Sequence, residues 1–330
     1  MRIRGIAMTL CAFLTVGLVA TTAGASNDTD FAKQWSLAKI GAPEAWAHTT
    51  GRGVRVGIVD TGVDLNHEDL VGKVVEGTSC VGAAGDPAKC SGSPQDDQGH
   101  GTHVAGIIAA NKDNGIGIAG VAPDAQLVVA KALNAKGEGT EEDINAGIKW
   151  VVDHGAKVVN LSLGDPNFVF TSLLGTSMRD GIEYAWSHGA VPVVAAGNSD
   201  LLGLGLGSSN YGDLDAIVVG ATGPDDKVTS YSSPIGSAKW GILAPGGAGD
   251  GNPDHDIWST FWEQGKTNDY KALAGTSMAT PHVVGAVALL LAEGLTPQQA
   301  IDRLIKTADP KVACDNCTGR LDLAKATATQ

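Results

Sequence analysis

Basic residues are few in this chain. Twenty-three Lys and Arg stand against 36 Asp and Glu in 330 residues, a formal charge of −13. A surface this acidic repels backbone phosphates, which argues against nucleic acid as a partner. There is no charge run, no long low-complexity segment and no fixed-period repeat, so disordered tails and repeat arrays are set aside. A membrane-spanning segment is also missing. The amino-terminal apolar stretch, Ile6 to Val19, is short for a span, and small polar residues follow it rather than a basic stop-transfer cluster. No stable membrane anchor is expected. Cysteine is scarce, five in all, which limits any disulfide framework or thiolate metal site to very few members.

What is present begins with a secretory pattern. Arg2 and Arg4 form a basic n-region, Ile6 to Val19 an apolar core, and Ala23-Gly24-Ala25 an A-x-A cleavage site. Residues 1–25 therefore read as a signal peptide, and the mature protein as secreted and starting near Ser26. Removing Arg2 and Arg4 takes the basic count from 23 to 21 against 36 acidic residues, a balance of −15. Residues 26–330 suit one domain with one large core, and a monomer is the default expectation. Cys11 leaves with the signal. The other four form two local pairs, Cys80 with Cys90 and Cys314 with Cys317. An even count in an exported chain favours disulfides. The rival is a zinc site, but Cys80 and Cys90 lack C-x2-C spacing and no His stands at ligand spacing beside Cys314. A redox C-x2-C is disfavoured because no strand-to-helix context surrounds it.

Strand and helix signals alternate. Strands are expected from Val54 to Val59, Ala125 to Leu133, Lys157 to Leu163, Val191 to Ala196 and Ala216 to Ala221. Helices are expected from His100 to Ala110, Glu141 to His154, Leu173 to His188 and, nearly all apolar, Thr276 to Glu293. Thr296-Pro297-Gln298-Gln299 reads as a capped helix start, running on to about Ala308. Continuous apolar strands separated by helices imply an α/β fold with a mostly parallel sheet covered on both faces. Functional groups then gather at the carboxyl ends of the strands. Asp60 ends the first strand, Asn160 and Ser162 lie near the end of another, and Gly197-Asn198 follow a third.

A serine hydroxyl needs an adjacent base, and the base needs an acceptor that holds its tautomer. Three segments supply these roles: Val59-Asp60-Thr61-Gly62, Gly99-His100-Gly101-Thr102-His103-Val104-Ala105-Gly106, and Gly275-Thr276-Ser277-Met278-Ala279-Thr280-Pro281-His282. His100 and Ser277 sit at helix starts, where unpaired N–H groups favour negative charge. In the order Asp, His, Ser, these segments resemble the subtilisin family of serine peptidases from about Asn27 to Ala326, an order already known for that family.

The resemblance implies a three-layer subtilisin-like fold and an endopeptidase acting on proteins or peptides through an acyl-enzyme. Asp60, His100 and Ser277 would be its triad, and Asn198, after Val194-Ala195-Ala196-Gly197, its oxyanion-hole donor. Ser162-Leu163-Gly164 and Ala195-Ala196-Gly197 would wall the first specificity pocket. Gly137-Glu138-Gly139 would be an edge strand pairing with the substrate. Small apolar walls suggest an apolar or aromatic side chain before the cleaved bond, and Glu138 a mild preference for a basic residue further upstream. A structural Ca2+ is implied at Asp28, Asp69 and Asn114, with carbonyls from Asn111, Ile116 and Ile118; hard oxygen ligands from separate segments suit that ion.

Some features depart from the family pattern. Relatives usually carry a prodomain, and here only about 28 residues separate the expected cleavage site from the first core strand, too few for one. Leu201 to Asn210, rich in Gly and Leu, replaces a segment that shapes the pocket in relatives. Ser177 repeats the Gly-Thr-Ser-Met letters without the rest of the motif and reads as coincidence. His103 shares a helix face with His100 and reads as a packing residue. A different serine hydrolase, on an α/β-hydrolase fold, would want G-x-S-x-G and the order Ser, Asp, His, which this chain lacks.

Overall fold

The structure, a computed structural model, describes residues 25–163, 178–198 and 211–328. Seven parallel strands form one sheet: β1 (Arg55–Asp60), β2 (Val74–Ser79), β3 (Gln126–Lys131), β4 (Val158–Leu161), β5 (Val191–Ala195), β6 (Ile217–Thr222) and β7 (Trp240–Pro245). Their order is β2-β3-β1-β4-β5-β6-β7. A separate antiparallel hairpin joins β8 (Ile257–Phe261) to β9 (Asp269–Leu273).

The helices cover both faces of the sheet. They are α1 (Trp35–Ile40), α2 (Ala42–Ala45), α3 (His100–Ala109), α4 (Glu141–Asp153), α5 (Arg179–Ser187), α6 (Thr276–Ala292), α7 (Pro297–Thr307) and α8 (Leu323–Ala328). Alternate residues of each strand point to opposite faces. Val56, Ile58, Leu127, Val129 and Val193 join a core with α3 and α6. Val59, Val128, Ala130 and Val194 join a second core with α4 and α5. This two-sided burial is why the strands read as unbroken apolar runs, and it bears out the expected three-layer α/β fold.

Local chemistry sets the helix ends. Thr140 caps α4 by accepting from Asp143 N at 3.1 Å, with three acidic residues in the first turn. The expected cap of α7 is present as a reciprocal Thr296–Gln299 capping box with Pro297 in the first turn. The helix expected from Leu173 is described only from Arg179, and Leu173 to Ser177 lie outside the described residues, as does Leu201 to Asn210. Strands β2 and β7, which flank the sheet, are additional to the expected five, and so is the β8–β9 hairpin. β2 is partly exposed and carries Glu76, Gly77 and Thr78, so it shows no apolar period. Among the described residues no helix is long and apolar enough to cross a membrane. The disulfides Cys80–Cys90 and Cys314–Cys317 are both formed.

Candidate active site

In a parallel sheet all carboxyl ends lie on one edge. The order here reverses direction at β1, which has β3 on one side and β4 on the other. That switch point opens a crevice, and Asp60, the last residue of β1, stands in it. Asp60 is fully buried, and its Oδ1 lies 2.8 Å from His100 Nδ1. Thr61 N donates to the same oxygen at 2.7 Å. Asp60 Oδ2 is also buried and has no hydrogen-bond partner among the described residues. A buried carboxylate oxygen left unpaired is unfavourable in a purely structural setting.

His100 is the first residue of α3, and its position depends on Asp96. That carboxylate, 1% exposed, accepts from Gln98 N, Gly99 N and Thr102 N at 2.9–3.0 Å and from Thr102 Oγ1 at 2.5 Å. Asp96 thus ties down the first turn of α3, where N–H groups lack intrahelical acceptors. Gly99 is required beside it, with φ at +110°. A β-carbon there would stand 2.5 Å from both Phe261 Cζ and Trp262 O.

Ser277 is the second residue of α6 and is 3% exposed. Pro281 lies four residues on, inside the helix. Proline has no N–H to give, so the Ser277 carbonyl is released from the helical ladder. Ser162 Oγ donates to that carbonyl at 2.8 Å, and Asn160 Nδ2 donates to Ser162 Oγ at 2.9 Å. The Ser277 hydroxyl itself donates to Ser162 O at 3.2 Å. Rotation about its Cα–Cβ bond would redirect it, and catalytic hydrogen bonds commonly tighten only when substrate binds.

Asn198 follows β5 and touches the same helix start. Its Oδ1 accepts from Thr276 N and from Thr276 Oγ1, both at 3.0 Å. Thr276 Oγ1 also accepts from Gly197 N at 3.2 Å. A backbone N–H must meet oxygen, so these contacts settle which end of the amide is which. They turn Nδ2 toward the space over Gly275, where a β-carbon would be 3.3 Å from Nδ2 and 3.7 Å from Ser277 N. Two donors therefore converge beside the Ser277 hydroxyl.

Ser162, Leu163, Ala195, Ala196 and Gly197, expected to wall the first pocket, lie at the carboxyl ends of β4 and β5 and are all buried. Gly164 lies outside the described residues. Gly137-Glu138-Gly139 differs from its expected strand form. Asn134 N donates to Glu138 O, and Asn134 Oδ1 accepts from Lys136 N and Glu138 N, closing a turn. The Asn134 side chain outcompetes the ladder here, and Glu138 remains exposed.

The proposed cation ligands are brought together. Asp28 and Asp69 are buried. Burial, opposed by hydrogen bonds and reinforced by the nearby Asp28 charge, pushes the Asp69 carboxyl up to about 6. Asp28 accepts from Asp113 N, Asn114 N and Gly115 N. Asn114 Nδ2 donates to Asp69 Oδ1 at 2.8 Å, and Ile118 N to Asp69 Oδ2 at 2.8 Å. No hydrogen bond among the described residues goes to the Asn111, Ile116 or Ile118 carbonyls. A β-carbon on Gly117 would come within 2.3 Å of Asp69 Oδ2. Among the described residues there is no group of three or more His, Cys, Asp or Glu side chains suited to a metal. Two carboxylates and open carbonyls are nevertheless hard-oxygen donors that suit Ca2+, while Asn114 turns its Nδ2 to Asp69 and its Oδ1 to Ile116 N, so its amide would have to reorient to join them.

Sequence reasoning gave no separate role to Thr61 and Thr276, although both lie in the quoted motifs, and none to Asp96 or Lys131; Asp96 carried a signal as an acidic residue just ahead of a helix start, and Lys131 carried none. His103 is a packing residue, as expected. His103 and His282 are buried and held neutral, burial pushing them down to about 3 and about 4. His103 Nε2 lies 3.1 Å from Ile257 O and 3.0 Å from Lys271 O, tying α3 to the hairpin.

Comparison with known proteins agrees with this geometry. The model of the subtilase family matches residues 51–324. Thermitase of Thermoactinomyces vulgaris is 38% identical over 286 residues, covering 86% of this chain and 91% of thermitase. Subtilisin DY of Bacillus licheniformis is 39% identical over 261 residues, covering 78% and 84%. A solved protease of Pseudoalteromonas arctica superimposes with a TM-score of 0.77 at 30% identity, covering 92% of this chain and 98% of that one. The chain belongs to the subtilase family and is a subtilisin-like serine endopeptidase.

Proposed function

We propose that this peptidase cleaves proteins through an Asp60–His100–Ser277 triad and a covalent acyl-enzyme. In this reading Ser277 Oγ attacks the scissile carbonyl carbon while His100 Nε2 takes its proton. The carbonyl oxygen, now an oxyanion, receives hydrogen bonds from Asn198 Nδ2 and Ser277 N. The C–N bond breaks as His100 returns the proton to the leaving amine. Water then attacks the ester, with His100 again as base, and Ser277 is regenerated. Asp60 holds the imidazole with Nδ1–H toward its carboxylate and stabilises the imidazolium. The 2.8 Å contact between Asp60 Oδ1 and His100 Nδ1, buried at the switch point, carries the reading.

The small walls of Ser162, Leu163, Ala195, Ala196 and Gly197 support a preference for an apolar residue before the cleaved bond, and exposed Glu138 for a basic one further upstream. A peptide-library profile dominated by acidic residues would overturn both. Asp28, Asp69 and Asn114, with the Asn111, Ile116 and Ile118 carbonyls, would hold a structural Ca2+, which supplies charge compensation for two buried carboxylates. The amino-terminal 25 residues would direct secretion of a single catalytic domain, checked by the amino-terminal sequence of exported protein. The decisive experiment is labelling with a fluorophosphonate probe and mass mapping of the modified peptide. Labelling at Ser277, lost in Ser277→Ala and weakened in His100→Ala, is expected. Folded, calcium-loaded protein that takes no label would refute the triad.

A further inference from the structure

Lys131 is a buried lysine that the reaction scheme does not use. It ends β3, in register with Asp60 at the end of β1, and is 8% exposed. A lysine is seldom so buried unless its charge is matched. An ammonium has three donors, and here each has an acceptor. Lys131 Nζ donates to Thr61 O at 2.7 Å, to Leu133 O at 2.8 Å and to Asp97 Oδ1 at 2.5 Å.

Two of these contacts lead to the triad by separate routes. Thr61 has all its polar groups engaged. Its N–H donates to Asp60 Oδ1, the oxygen that meets His100; its Oγ1 accepts from Gly101 N of α3 at 2.9 Å; its carbonyl accepts from Lys131. Asp97 follows Asp96, whose carboxylate organises the first turn of α3. One ammonium therefore links the strand end bearing Asp60 to the loop that delivers His100.

We infer that Lys131 is a positioning residue for peptide hydrolysis, which sets the Asp60–His100 pair through Thr61 on one side and Asp97 on the other. The inference rests on the triad reading above. Its consequence is specific. Loosening the strap displaces His100 relative to Ser277, and displacements near 1 Å at reacting groups lower rates by as much as roughly 100-fold. The substrate groove would be built from β4, β5 and the turn at Asn134, which Lys131 reaches only through Leu133 O, so binding should change less than turnover. A lysine serving only to join the sheet edge to its loops would change stability and leave the turnover of folded enzyme intact.

The test compares wild type, Lys131→Met, Asp97→Ala and Asp97→Asn in the full chain, with kcat, KM and the rate of fluorophosphonate labelling measured on folded protein. Lys131→Met should lower kcat and the labelling rate by roughly ten- to fiftyfold with KM within about twofold. It strands two buried carbonyls and could fail to fold. Asp97 is therefore the safer site, since its side chain is 45% exposed. Asp97→Ala should lower kcat and labelling by roughly three- to tenfold at nearly unchanged Tm. Asp97→Asn, which keeps an oxygen for Lys131 Nζ, should recover most of that loss. Wild-type kcat in Asp97→Ala, or in folded Lys131→Met, would overturn the inference. Absence of labelling in wild type would instead refute the triad itself.

Discussion

The Asp96 carboxylate offers the sharpest test of how this chain builds its site. It accepts four hydrogen bonds at 2.5–3.0 Å while almost fully buried, and three of the four come from backbone N–H groups at the entrance to α3. Asp96→Ala removes every acceptor at once. Hydrogen bonds to charged groups contribute about 1.5–3 kcal/mol each, and loss of a helix cap costs about 0.5–2 kcal/mol. Water entering the vacated space would satisfy part of the set, so about 3–5 kcal/mol of destabilisation is expected rather than the full sum. For a domain of this size about 2–4 °C of Tm accompanies each kcal/mol, giving a fall of roughly 6–20 °C. Asp96→Asn separates the two halves of the network. It keeps Oδ1 for Gln98 N and Gly99 N but presents an amide nitrogen to Thr102 N, so about half the loss should remain. Calorimetry of the inactive Ser277→Ala background avoids self-digestion during the scan. In the active background, kcat should fall with stability because His100 directly follows the loosened turn. A Tm within about 2 °C of wild type for Asp96→Ala would refute the reasoning.

Asn198→Ala should lower kcat by roughly 10²–10³-fold with little change in KM, the size known for subtilisin itself; Thr276→Val should reproduce a smaller part of it, because Thr276 orients the amide. Equal kcat in both variants and wild type would remove Asn198 from the oxyanion hole. Stability should fall with acid. His103 and His282 are held below the ordinary 6.5 by burial, at about 3 and about 4. Above pH 6.5 neither native nor unfolded chain protonates them and their contribution is complete. Between about 6.5 and 4 only the unfolded chain binds the two protons, so stability drops by up to about 2.7 kcal/mol per pH unit from this pair. Urea midpoints that stay level from pH 7 to pH 5 would contradict that. Chelation should lower the Tm of wild type, and Gly117→Ala, which crowds Asp69, should lower it without chelator and blunt the response. An unchanged Tm on chelation would argue against a bound ion.

Much of the proposed site was legible from residue order alone. Asp60, His100, Ser277 and Asn198 lie in long contiguous motifs, because the proposed triad would require particular neighbours: a glycine against the Phe261–Trp262 hairpin before His100, and a proline four residues after Ser277 to free a carbonyl. The central strands were legible because burial on two faces leaves no polar position. Other elements left no such trace. β2 and β9 are partly exposed, with polar residues breaking their period. Asn134, not the expected strand, decides the form of Gly137 to Gly139, since a side-chain hydrogen bond within a turn does not show in apolar periodicity.

Local sequence thus determined the proposed reacting groups, the helix starts that carry His100 and Ser277, the capping of α7 and the parallel α/β class. Each depends on residues within a few positions of one another. Only the tertiary structure decided the supports: Lys131 bridging to Thr61 and Asp97, Thr276 orienting Asn198, Ser162 taking the carbonyl that Pro281 releases, and Asn114 joining Asp28 to Asp69. Those pairs are separated by tens of residues. The contacts around Asp60, Asn198 and Ser277 exist because the strand order brings carboxyl ends to one edge, an arrangement set by packing the whole chain.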